Sequence, residues 1–106
     1  MQIAPFEIAV PDAVLADLRE RLARTRFPDE LVDVGWDYGT PLGLMRDLVA
    51  YWRDQYDWRA QEAALNRFPQ FKAQVDDLGI HFIHVKGKGP KPFPLVITHG
   101  WPGSIA

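Results

Sequence analysis

The chain has 106 residues, 47% hydrophobic and 25% charged, a globular composition at the length of about one small domain. Twelve Lys+Arg against fourteen Asp+Glu leave a formal net charge of −2, without the basic excess expected of a general nucleic-acid binder. The absence of cysteine excludes a disulfide framework, a thiolate metal site and a catalytic thiol.

No run approaches the ~20 apolar residues of a membrane span. Met1-Gln2-Ile3-Ala4-Pro5 has no basic region followed by an apolar run, so no secretory signal is visible. The expectation is a soluble, cytoplasmic protein that binds neither membrane nor nucleic acid.

In chain order, residues 6–10 alternate apolar and polar, the period of a half-buried strand. Pro11-Asp12 opens a helix, with Val14, Leu15, Leu18 and Leu22 on one stripe and Asp17, Arg19, Glu20, Arg21 and Arg24 on the solvated side. Phe27-Pro28 ends it. Residues 28–40 read as an irregular connector with Trp36 and Tyr38 as buried anchors, and Asp29, Glu30, Asp33 and Asp37 as capping and turn residues. Thr40-Pro41 signals a second helix, Thr40 as N-cap and Pro41 in the first turn, with Leu44, Met45, Leu48, Val49, Trp52 and Tyr56 on its apolar face. Asp57 starts a third helix, with Trp58, Leu65 and Phe68 facing inward, and Pro69 stops it.

The period then changes to two. Phe71, Ala73 and Val75 alternate with polar residues, Asp77-Leu78-Gly79 makes a turn, and residues 80–85 return as a second strand, which together predict a β-hairpin. A Gly/Lys/Pro loop follows at 87–92. Pro94-Leu95-Val96-Ile97-Thr98 is wholly apolar until its last residue, as in a strand buried on both faces of a parallel sheet. Such a strand needs neighbours on both edges, so the chain reads as the beginning of a larger α/β protein.

His99-Gly100-Trp101-Pro102-Gly103-Ser104 leaves the end of that strand, where α/β folds place ligands. Gly100 and Gly103 permit a sharp turn and Pro102 fixes the backbone. A turn of this kind can hold the Trp101 N–H toward an anionic oxygen, as the corresponding loop does in the oxyanion holes of α/β-hydrolases. His99 is expected to hold the loop by hydrogen bonding rather than to serve as a base. Ser104 lacks the G-x-S-x-G setting of a nucleophile. His81 and His84, three apart on a strand, point to opposite faces and cannot share a metal from it. Trp36, Tyr38, Trp52 and Trp58 are expected in the core, and the Arg cluster at 19–26 on a solvated face.

Taken in order, Pro5-Phe6-Glu7-Ile8, Thr25-Arg26-Phe27-Pro28-Asp29, Gly35-Trp36-Asp37-Tyr38-Gly39, Tyr51-Trp52-Arg53, Asn66-Arg67-Phe68-Pro69-Gln70-Phe71, Ile80-His81-Phe82-Ile83-His84-Val85 and the 99–104 hexapeptide resemble the N-terminal region of epoxide hydrolases of the microsomal and juvenile-hormone type, in their bacterial soluble form. The likeness covers residues 5–106. It implies an α/β fold, with residues 1–69 a helical extension that wraps the catalytic domain. Residues 70–106 are then the start of an incomplete α/β-hydrolase domain: hairpin, first buried strand and loop. It implies epoxide opening through an Asp alkyl-enzyme ester, hydrolysed by a His-activated water, with no metal or organic cofactor. His99-Gly100-Trp101-Pro102 matches the family's HGXP motif, which makes the Trp101 N–H an oxyanion donor and Trp101–Pro102 a cis bond. The nucleophile, base, acid and lid tyrosines are expected downstream of residue 106, so the segment alone should be inactive and should cover, or associate with, the rest of the domain. Two rivals stand beside this reading: another α/β-hydrolase, such as an esterase or dehalogenase, and a non-catalytic helical interaction module.

Overall fold

The computed structural model describes residues 2–106 and has the order β1 (Gln2–Phe6), α1 (Asp12–Ala23), α2 (Leu42–Asp54), α3 (Trp58–Leu65), β2 (Gln70–Val75), β3 (Leu78–Ile83). The chain divides into two compact units, residues 10–58 and residues 1–9 with 59–106. No helix among the described residues is long and apolar enough to cross a membrane.

In the unit of residues 10–58, α1 starts where Pro11-Asp12 places it, with Pro11 at the N-cap and its carbonyl accepting from Val14 and Leu15. Its charged side is solvated as expected: Asp17–Arg21 (2.7 Å) and Glu20–Arg24 (3.0 Å) are exposed i,i+4 pairs of small individual weight. α2 starts one residue later than expected. Pro41, not Thr40, is the N-cap, and Pro41 has no side-chain donor or acceptor to offer. The Glu30 carboxylate, twelve residues earlier in the connector, accepts from the Leu42 N–H at 2.8 Å instead. An acid at that end also suits the helix dipole. The expectation that this acidic group caps and turns is therefore met at Glu30, and at Asp33, whose φ is 60°.

The aromatic anchors of the connector are a correction. Trp36 is 66% and Tyr38 79% exposed. The segment is held instead by the Glu30 cap, by two short turns (Asp37 N–H to Val34 O, Gly39 N–H to Trp36 O) and by Phe27 under the Arg46 guanidinium. The apolar faces of α1 and α2 meet but do not close: Leu18 and Leu22 are half-buried, whereas Leu48 and Trp52 stay exposed along an apolar groove of about 580 Å³. Two helices cannot surround each other's stripe, so the core expected there is half built.

In the other unit, β2 and β3 form the expected hairpin, and β1 adds to the far edge of β2, giving the antiparallel order β1-β2-β3. The turn falls at Asp76-Asp77 rather than 77–79. Asp76 adopts φ 51°, which Asp tolerates better than most residues, and Gly79 lies inside β3 opposite Gln74. Phe71 stacks on Phe82 at 5.7 Å, and Ala73 is buried on the same face.

The first strand is displaced from residues 6–10 to 2–6, because β2 begins at Gln70, opposite Phe6, and offers no backbone beyond it. Past that point Asn66 takes over: its Nδ2 donates to Ile8 O (2.8 Å) and its Oδ1 accepts from Ile8 N–H (2.9 Å). One carboxamide thus satisfies both backbone groups of Ile8, as a neighbouring strand would. Gln70, 5% exposed, continues the cluster, its Nε2 donating to Leu65 O and more weakly to Asn66 Oδ1. Its Oε1 therefore faces His81 Nε2 at 2.8 Å, which assigns the proton to that nitrogen.

The largest correction concerns residues 94–98. They form no strand, and Leu95, Val96 and Ile97 are 75–88% exposed. An extended segment needs partners for its N–H and C=O groups, and none of β1–β3 pairs with it. Phe68, expected to face inward, is also half exposed.

Two outcomes follow. Asn66→Ala strands two backbone groups worth about 1–3 kcal/mol, so amide exchange at Ile8 should accelerate at least roughly tenfold; unchanged exchange would mean that the carboxamide does not hold the strand exit. Glu30→Ala should destabilise the first turn of α2 by about 1 kcal/mol, with Glu30→Gln losing less because it keeps an acceptor, read as the order of helix loss in a urea titration followed by circular dichroism.

Candidate functional site

The 99–104 loop is built by its own backbone. Gly100, Trp101, Pro102 and Gly103 form a four-residue turn closed by Gly103 N–H donating to Gly100 O at 2.6 Å, with Trp101–Pro102 cis, the defining feature of a type VI turn. The cis bond agrees with the expectation. The Trp101 side chain is 97% exposed, and no acceptor among the described residues is paired with its backbone N–H. His99 approaches Gly100 O through Nδ1 at 3.4 Å, longer than an ordinary hydrogen bond, so it grips the loop weakly.

The two glycines differ in their surroundings, since a Cβ added to Gly100 would meet nothing within 4 Å. Neither adopts a positive φ. A Cβ on Gly103 would lie 2.8 Å from Gly100 O and 3.4 Å from His99 Cβ, so this position has no room for a side chain. Gly103 is the residue whose importance sequence reasoning undervalued, since only the folded turn brings its Cα against the Gly100 carbonyl.

The remaining candidates do structural work. His81 is packed edge-on to Phe6 (4.5 Å) and bonded to Gln70, while His84 lies near Phe71. The two rings thus sit against residues on opposite faces of the sheet. Lys72 Nζ sits over the other partner of His81, the Phe6 ring, at 4.2 Å. Ser104 Oγ donates to Ala106 O and accepts from Ala106 N–H, the behaviour of a turn hydroxyl. On α2 the Arg53 guanidinium grips Asp54 with two bonds of 2.6 and 2.7 Å; the hydrogen bonding lowers the Asp54 pKa and raises that of Arg53. That pair is exposed. No group of three His, Cys, Asp or Glu among the described residues is arranged to hold a metal ion.

Residues 3–106 match the family described as Epoxide hydrolase N terminus. The chain is similar to a putative epoxide hydrolase of Stigmatella aurantiaca (50% identity over 103 residues, 97% of this chain and 23% of that protein). It is also similar to epoxide hydrolase 1 of Oryctolagus cuniculus (39% over 107 residues, 97% and 24%). Among solved structures it superposes on juvenile hormone epoxide hydrolase of Bombyx mori with a TM-score of 0.76 at 33% identity, over 85% of this chain and 22% of that one. The epoxide hydrolase of Aspergillus niger gives a TM-score of 0.71 at 29% identity, over 78% and 22%. These structural neighbours are α/β-hydrolases, and the chain spans about a quarter of the length of the curated relatives it matches. With a match from residue 3 to residue 106, the chain belongs to the epoxide hydrolase N-terminus family.

Proposed function

We propose that this chain is the N-terminal segment of an epoxide hydrolase that converts small epoxides and water to vicinal diols, and that its own part in the chemistry is one oxyanion donor, the Trp101 N–H, on a loop shaped by His99, Gly100 and Pro102. The observation that carries this reading is the closed Gly100–Gly103 turn, which leaves that N–H without an internal acceptor, in a chain of this family.

In this reading an Asp carboxylate oxygen attacks a ring carbon and the ring C–O bond breaks. The new alkoxide takes a proton from a lid tyrosine, leaving an alkyl ester on the enzyme. A water then attacks the ester carbonyl carbon while a His takes its proton. The carbonyl oxygen carries the negative charge at that stage, and in this reading the Trp101 N–H stabilises it. Collapse breaks the bond from acyl carbon to alkyl oxygen; the imidazolium gives its proton to that oxygen as the diol leaves, and the proton of the new carboxylic acid returns to the tyrosinate, which restores carboxylate, His and Tyr. Asp, His, its acid partner and the tyrosines belong to the downstream part of the protein. The exposed faces of α1, α2 and residues 93–98 support a second role, covering the hydrolase domain. A cytoplasmic setting goes with this reading.

The 106-residue chain by itself should form no diol from styrene oxide above the buffer rate, and the longer protein that contains it should form diol. In that protein, replacing the Trp101 amide by an ester linkage, which deletes the N–H alone, should slow turnover about 10²–10³-fold. A longer protein that hydrolyses carboxylic esters and leaves epoxides intact overturns the epoxide assignment in favour of another α/β-hydrolase activity.

A further inference from the structure

The Gly100 carbonyl and the Trp101 N–H belong to one peptide group. That group is planar and trans, since the one cis bond among the described residues is Trp101–Pro102. In a trans peptide the N–H points away from the C=O on the opposite side of the bond. Whatever fixes the oxygen therefore fixes the direction of the N–H. Here the oxygen is held at 2.6 Å by Gly103 N–H, and a Cβ on Gly103 would lie 2.8 Å from the same oxygen. Residue 103 thus both grips and borders the oxygen end of the plane whose other end is the donor. The bond also draws electron density toward the carbonyl and makes the N–H a better donor.

We infer that Gly103 is the positioning residue for the Trp101 N–H: it aims the donor through the Gly100–Trp101 peptide plane, and it must be glycine because a side chain would push on the oxygen that sets the aim. The contact lies within four consecutive residues, so it does not depend on the parts of the protein downstream. The inference rests on the proposed oxyanion role of Trp101 and adds to it the residue that orients the donor.

The decisive readout separates the two chemical steps, because the donor serves ester hydrolysis and not ring opening. In the full-length protein, Gly103→Ala should leave single-turnover ester formation within about twofold of the parent. The covalent ester, seen as an increase in protein mass by one styrene oxide, should accumulate as turnover falls roughly 100-fold, the scale of a donor misplaced by about 1 Å. Gly79→Ala, where the nearest atom to an added Cβ is Gln74 Oε1 at 4.0 Å, is the control expected to behave as the parent. If Gly103→Ala fails to fold, glycolate at position 103 removes the N–H and adds no Cβ, and it should also accumulate ester. Equal slowing of both steps, or no ester accumulation in the folded variant, overturns the inference. The Trp101 amide-to-ester protein separates the failures. Ester accumulation there but not at position 103 removes the positioning role alone, and normal hydrolysis there removes the oxyanion reading with it.

Discussion

One carboxamide, that of Asn66, governs how the chain leaves the sheet. β1 and β2 are separated by the whole of α1, the connector, α2 and α3, so their pairing closes a long loop and carries a large entropy cost. Five residue pairs secure the strand itself, from Gln2–Gln74 to Phe6–Gln70. Beyond Phe6 the chain must leave the sheet with its backbone still satisfied. Asn66, at the end of α3, supplies both a donor and an acceptor to Ile8, 58 residues away in sequence. Gln70 then ties the end of α3 to β3 through Leu65 O and His81. Among the described residues no buried side-chain nitrogen or oxygen lacks a partner, which is the condition for burying a polar side chain such as Gln70 at low cost.

The same economy of local bonds shapes the loop at 99–104. Its geometry comes from one short backbone bond and one steric contact, both inside the turn. In the proposed role, a donor held by its own peptide plane is preorganised before any substrate arrives, which is what electrostatic stabilisation of a transient charge requires. The loop therefore keeps its shape although the apolar residues before it, Leu95 to Ile97, have no sheet to join.

Those apolar surfaces share one feature. Each of α1, α2 and residues 93–98 carries a hydrophobic face, and within its own unit none finds the second layer that a stable core needs. The chain spans about a quarter of the length of the curated relatives it matches. The exposed aromatic connector residues Trp36 and Tyr38 fit the same pattern.

Local chemistry made much of this legible in the sequence. Pro11-Asp12 set the start of α1, period-two alternation set the hairpin, and the ordered motifs from Pro5 to Ser104 carried the family. The cis Trp101–Pro102 bond was likewise implied by the family pattern. Distant partners were not legible. β1 shifted to residues 2–6 because its pairing with β2 is set by a partner some seventy residues on. Glu30 displaced Thr40 as the cap of α2 because only folding brings the connector to that helix end. The 94–98 run did not become a strand because a strand exists only where another backbone pairs with it. Sequence alone determined what each segment prefers. The tertiary structure decided who satisfies whom, because hydrogen-bond partners and steric neighbours such as Gly103 and the Gly100 carbonyl are properties of the folded chain.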